Sequence, residues 1–350
     1  MKRYEHISGI KNFCLLIVII SHCMLFYADD AMFALSADFS SPVVIKLCAF
    51  LDVTVMAAFV FCSGFLYAAG LFRGRSGKEE ILSRIRRLIL PYYIYGSLWL
   101  VPLYTLFDIK SYGRPENAGL IKGYAYMAMG IFADHLWFLW MLFWVNLFFI
   151  LIRRFLEGKK LVTGAVLSAA FVCADVFLLK DVSCFKLNQV APYVFCYFAG
   201  VVFFYLDERI GKLPAFLKGG TGAMLFLLIA FYSQNKPESR VLFYAMKMLA
   251  GIMFYFIFVF PAGTGFFKKL EGSRIYGYLS KYSVDIYIFS LPPIYLFFKL
   301  IYPYIGRNVV LCIVVNAALT MTAVVLIIWC RERIRGSDVW KKINKKNSPS

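Results

Sequence analysis

Long apolar stretches alternate along this chain with shorter, charge-bearing ones. Ten apolar blocks stand out, at 10–28, 47–70, 88–107, 136–153, 161–179, 190–206, 220–235, 241–261, 284–302 and 309–330. An α-helix needs about 20 mostly apolar residues to cross the hydrocarbon core of a bilayer, and the blocks approach or reach that length. The pattern predicts an all-α membrane protein, a bundle of about ten transmembrane helices. One connection, 108–135, is longer than the others. It holds the small and apolar run Gly123 to Phe132, which predicts a short helix lying in the interface or re-entering the bilayer. No repeat or low-complexity tract interrupts the series.

Composition sharpens this picture. Of 350 residues, 61% are hydrophobic and 19% aromatic, more apolar surface than one soluble core can hide. The net charge of +18 would point to nucleic acid in a soluble chain. Here the basic residues fall in alternate connections instead. Counting connections from the N-terminus, 27 of the 38 lysines and arginines lie on the N-terminal side of the bilayer and 11 on the other. Cytoplasmic loops carry that excess, so both termini are expected inside, and an even number of spans agrees with ten. Residues 1–330 then form one polytopic membrane domain and 331–350 a basic cytoplasmic tail. The first apolar run lacks a small-residue cleavage site and is expected to be a retained helix. Nine cysteines sit mostly inside apolar blocks, with no CxxC and no metal-ligand spacing, so neither a disulfide framework nor a metal site is indicated.

Ionisable side chains are expensive inside lipid and are candidates for function on that ground. His22 follows Lys11 by eleven positions, which puts both on one helix face, about 16 Å apart along the axis. The alternative is that Lys11 snorkels to the interface and His22 ends a hydrogen-bond network. His135 opens the string Asp134-His135-Leu136-Trp137-Phe138-Leu139-Trp140; an interfacial aromatic belt would read the same way. Ser63-Gly64 interrupts an aromatic run and reads most simply as a close helix contact. Ser283, Tyr287 and Ser290 make a polar stripe at helical spacing. Lys247 either snorkels outward or faces a cavity.

Taken in order, these strings resemble the acyltransferase-3 family of integral membrane acyltransferases. Its first-span signature, a basic residue, ten others and then histidine, is matched from Ser8-Gly9-Ile10-Lys11 to Ile20-Ser21-His22. Its aromatic Ser-Gly element is matched by Val60-Phe61-Cys62-Ser63-Gly64-Phe65-Leu66. The basic run into proline is matched by Arg84-Ile85-Arg86-Arg87-Leu88-Ile89-Leu90-Pro91-Tyr92, the HLWFL element by His135 to Leu139, and a late element by Leu279-Ser280-Lys281-Tyr282-Ser283 with Ile286-Tyr287-Ile288. Two positions depart from the pattern. Lys11 stands where arginine is usual, keeping the charge but not the planar two-pronged grip, and Ser290 stands where a late histidine is usual.

The resemblance implies transfer of an acyl group, acetyl by expectation, from cytoplasmic acyl-CoA as co-substrate to a hydroxyl or amine of a cell-surface glycan or similar acceptor. It implies a multi-pass protein of the cell membrane, bacterial in kind, with lipid and no nucleic acid as partner. His22 would be the general base, or a transient acyl carrier, because imidazole accepts a proton near neutral pH. Lys11, Arg84 and Arg87 would hold the donor's phosphates. His135, Trp137, Ser63 and Tyr287 would line the cavity or the acceptor site. A polytopic transporter or flippase without acyl chemistry is the competing class; a purely structural membrane partner is a third, and it leaves His22 without a purpose.

Overall fold

The computed structural model describes residues 4–28, 36–71, 76–107, 119–131, 134–156, 160–179, 181–235, 239–261, 269–270 and 272–336. Among these residues there is no strand, and every predicted apolar block falls on helix. Helix α1 runs Glu5–Met24 and α2 Pro42–Leu71. A segmented helix follows: α3 Gly77–Arg84, α4 Leu90–Tyr95 and α5 Val101–Leu106, joined by wide π-helical turns at Ile85–Ile89 and Gly96–Leu100. The short α6 is Leu120–Ala128 and α7 is Trp137–Leu151. Then come α8 Leu161–Leu178, α9 Ala191–Gly211, α10 Ala215–Asn235, α11 Arg240–Val259, α12 Arg274–Ile305 and α13 Val309–Gly336.

Seven of the described helices are long and apolar enough to cross a membrane: α1, α2, α8, α10, α11, α12 and α13. The other three predicted blocks are helical but differ in kind. The block at 88–107 lies in the segmented helix, where each wide turn ends two residues before a proline, Pro91 or Pro102. Proline has no N–H to give the carbonyl four residues back, and a wide turn absorbs the misfit. The fourth block is the 15-residue α7. The apolar run of α9 stops at Leu206, before Asp207, Glu208 and Arg209. The short helix expected within Gly123 to Phe132 sits a turn earlier, at Leu120–Ala128. The final helix continues past residue 330 to Gly336; the rest of the expected basic tail lies outside the described residues, as do the loop basic residues Arg73, Arg75, Lys159 and Lys268.

Helix α1 is central, packed by α2, α11, α12 and α13. Two polar bonds tie it to α12, for Asn12 Nδ2 donates to Ser280 Oγ at 2.8 Å and to the Tyr276 carbonyl at 3.4 Å. At the other end, Tyr27 Oη donates to the Gly306 carbonyl at 2.8 Å. Helices α2 and α9 cross at glycines. A Cβ on Gly64 would lie 2.0 Å from the Tyr197 carbonyl oxygen, and one on Gly200 would lie 2.0 Å from that of Phe61. Backbones that close require residues without side chains, as small-residue contacts in membrane bundles do. Outside, Val162, Val166 and Phe177 on α8, Met224, Leu227 and Phe231 on α10, and Val310, Leu326 and Trp329 on α13 are exposed. An apolar exterior of this kind suits lipid, where water would not tolerate it.

Candidate active site

His22 projects from the last turn of α1 into a cavity of about 180 Å³ closed by α2, α9, α12 and the start of α7. Its walls include Asp52, His135, Trp137, Tyr193 and Tyr287. Residues from five distant stretches of the chain thus meet at one place. The two imidazoles face each other edge to face, with ring centroids 6.5 Å apart, and the His135 ring packs at 5.3 Å against that of Tyr287.

The orientation of His135 follows from two prolines in α12. Pro292 and Pro293 lie inside that helix, and Pro292 offers no N–H to the Ile288 carbonyl four residues before it. A buried carbonyl left this way needs another donor. His135 supplies one, with Nε2 3.1 Å from the Ile288 oxygen. A carbonyl can only accept, so the proton of the neutral ring sits on Nε2 and Nδ1 keeps its lone pair. His135 is only 1% exposed, and its Nδ1 has no hydrogen-bond partner. The Nδ1 of His22 is likewise buried and without a partner. Two imidazoles thus line one cavity, each with a buried Nδ1 that no protein group bonds.

The profile of the acyltransferase-3 family, described as an acyltransferase domain, matches residues 4–330. The chain belongs to the acyltransferase-3 family. No curated protein and no solved structure matches it. Membership accounts for a membrane-embedded, multi-pass helical chain and makes it an acyltransferase of the membrane.

Of the acyltransferase's expected site residues, the structure gathers four at the cavity: His22, His135, Trp137 and Tyr287. Ser63 is not among them; its hydroxyl donates to the Phe59 carbonyl one turn back at 2.9 Å. Ser290, at the position of the family's late histidine, is fully buried and donates to the Tyr287 carbonyl at 3.1 Å. Lys11 is half-buried on α1, away from the cavity, with its charge felt at Cys62 on α2. Arg84 closes α3 half-buried, and Arg87 is exposed on the wide turn that follows. Sequence reasoning did not pick Tyr193 or Asp52 as cavity residues. It left Lys247 open, and the structure places that side chain inside the bundle, 3% exposed.

Proposed function

We propose that this acyltransferase moves an acyl group, acetyl by expectation, from cytoplasmic acyl-CoA to a hydroxyl or amine of a cell-surface glycan or similar acceptor, with His22 as general base. The observation that carries the reading is the His22 ring on the wall of a cavity shared with His135, Trp137 and Tyr287. A base must reach the proton it removes, and a ring that lines the cavity meets the molecule the cavity holds. Lys11, Arg84 and Arg87 supply positive charge for the donor's phosphates. The donor's long flexible arm would span the distance from Lys11 to the level of His22.

The same reading takes ten spans with both termini in the cytoplasm. Side-chain contacts support it by bringing matching ends together. His6 near the start of α1 lies 3.0 Å from Asp207 near the end of α9, and Tyr255 late in α11 donates to the same carboxylate at 2.7 Å. Arg331, late in α13, pairs with Asp285 and bonds Tyr95. At the opposite end, Gln234 of α10 donates to the Lys46 carbonyl of α2 at 3.3 Å. An alternating path of ten spans satisfies all of these, and it puts the cavity in the outer half of the bilayer.

The test is ester analysis of surface glycans from cells with the wild-type chain, with none, and with His22→Ala. Acyl esters should be present in the first and missing from the other two. A glycan profile unchanged by removing the chain would overturn the glycan acceptor. Full esterification with His22→Ala would remove the histidine from the chemistry.

A further inference from the structure

Lys247 sits within the apolar helix α11, yet its ammonium does not reach toward headgroups. It donates to the Asp52 backbone carbonyl at 3.0 Å and to Tyr193 Oη at 3.1 Å, and the rings of Tyr193 and Phe243 lie 4.7 Å from it. A cation this deep in a membrane bundle is costly, and such residues mark places where the charge is used. Both of its hydrogen-bond partners belong to residues that wall the His22 cavity.

The direction of the Tyr193 contact decides what it can do. An ammonium has donors and no acceptor, so the phenol oxygen must accept. The phenol's own proton is then left for another acceptor. Tyr193 is a cavity wall, so a molecule occupying the cavity can accept that proton in place of the nearby Asp52 carboxylate.

We propose that Tyr193 donates a hydrogen bond to the carbonyl oxygen of the acyl group in transfer, and that Lys247 is the positioning residue that holds and polarises its hydroxyl. The proposal rests on the acyl-transfer reading and extends it to two residues. In the step, the acceptor's hydroxyl oxygen bonds to the thioester carbonyl carbon while His22 takes the hydroxyl proton. The carbonyl π pair moves onto oxygen, where the Tyr193 O–H meets the growing negative charge. The pair then returns, the carbon–sulfur bond breaks, and the departing thiolate takes the proton from His22. An ester and a free thiol result, and Tyr193 keeps its proton throughout. The ammonium strengthens the phenol as a donor by polarising it in a medium of low dielectric constant.

Two measurements on the full chain in nanodiscs or native membranes test this. The first uses a ketone analogue of acetyl-CoA, with a methylene in place of the thioester sulfur and an isotope label at the carbonyl carbon. Its infrared carbonyl stretch should move to lower wavenumber on binding to wild type. The move should vanish in Tyr193→Phe and shrink in Lys247→Met. The second is release of free thiol from acetyl-CoA. Tyr193→Phe should lower kcat about 10²–10³-fold, as losing one such donor does, with KM for acetyl-CoA little changed. Lys247→Met should cost less, and almost nothing further when added to Tyr193→Phe, since the two act as one unit. Tyr193→Phe keeps the ring against Trp137 and is decisive even if Lys247→Met folds poorly. If the ketone does not bind wild type, the acyl-CoA reading falls and this proposal with it. If it binds with the same carbonyl stretch in wild type and Tyr193→Phe, this proposal alone is overturned. An unchanged kcat with a raised KM for the acceptor overturns it too, because the phenol would then hold the acceptor.

Discussion

His22 offers a clean separation of chemistry from packing. Glutamine fills much the same volume and can hydrogen-bond, but it cannot take up a proton. His22→Ala and His22→Gln are therefore both expected to lower acyl transfer by about 10²–10⁴-fold, the usual range for a lost general base, with thermal unfolding close to wild type. Measured turnover near wild type in His22→Gln would return the residue to a structural role. Lys11 and Arg87 make a different kind of claim, about binding. Lys11→Ala and Arg87→Ala should each weaken acyl-CoA affinity by about 1.5–3 kcal/mol, roughly 10- to 150-fold, while Lys11→Arg retains most of it. The loss should shrink as salt rises, because partly exposed charges are screened. Equal affinity in all variants across a salt series would leave these charges with orientation as their sole task. What was legible at this scale was what a local string could spell. His22 stands eleven residues after a lysine, and His135 heads an aromatic run. Tyr193 has ordinary neighbours, and only the packing of α9 against α2 makes it a cavity wall.

Helix contacts carry the next set of expectations. Gly64 and Gly200 let α2 and α9 approach until each meets the other's backbone carbonyl. Gly64→Ala or Gly200→Ala must push the helices apart, and overpacking of this kind costs about 1–3 kcal/mol. Thermal unfolding in nanodiscs should fall for either variant, whereas Ser63→Ala, which loses a bond within its own helix turn, should remain near wild type. Helix α12 supports a sharper test. His135→Ala deprives the Ile288 carbonyl of its donor, at a cost of about 1–3 kcal/mol. In a Pro292→Ala background the backbone N–H is restored and can serve that carbonyl, so the same substitution should cost less. Additive losses in this double-mutant cycle would mean that the histidine and the proline are unrelated. The Ser63-Gly64 contact was legible because small residues interrupt an aromatic run. The pairing of Pro292 with His135 was not, because it joins a missing donor and a spare one 153 residues apart.

For the molecule as a whole, the ten apolar blocks found their helices, since apolar length survives any arrangement of neighbours. Their continuity was less legible. Proline at 91 and 102 widens the preceding turns, and the acidic and basic residues at 207–209 cut the apolar run of α9 short. Orientation rests on the imbalance of basic residues. Reporters fused after Lys160 are expected to be cytoplasmic, and those after Phe39 or Ser239 to lie outside. A cytoplasmic signal at Phe39 would invert the chain and move the His22 cavity to the inner half of the membrane.

The bonds from Asn12 to Ser280 and Tyr276 also bear on how the protein is made. Helix α1 leaves the ribosome well before α12 and finds this partner only when α12 arrives, 264 residues later for Tyr276. At about 5–20 residues per second of synthesis, α1 waits roughly 13–53 seconds in the membrane with the Asn12 amide lacking its final acceptors. The wall that Tyr287 adds to the cavity is missing for the same interval. An unfinished chain therefore cannot assemble the site, and a nascent chain halted before α12 should leave α1 open to crosslinking with the insertion machinery.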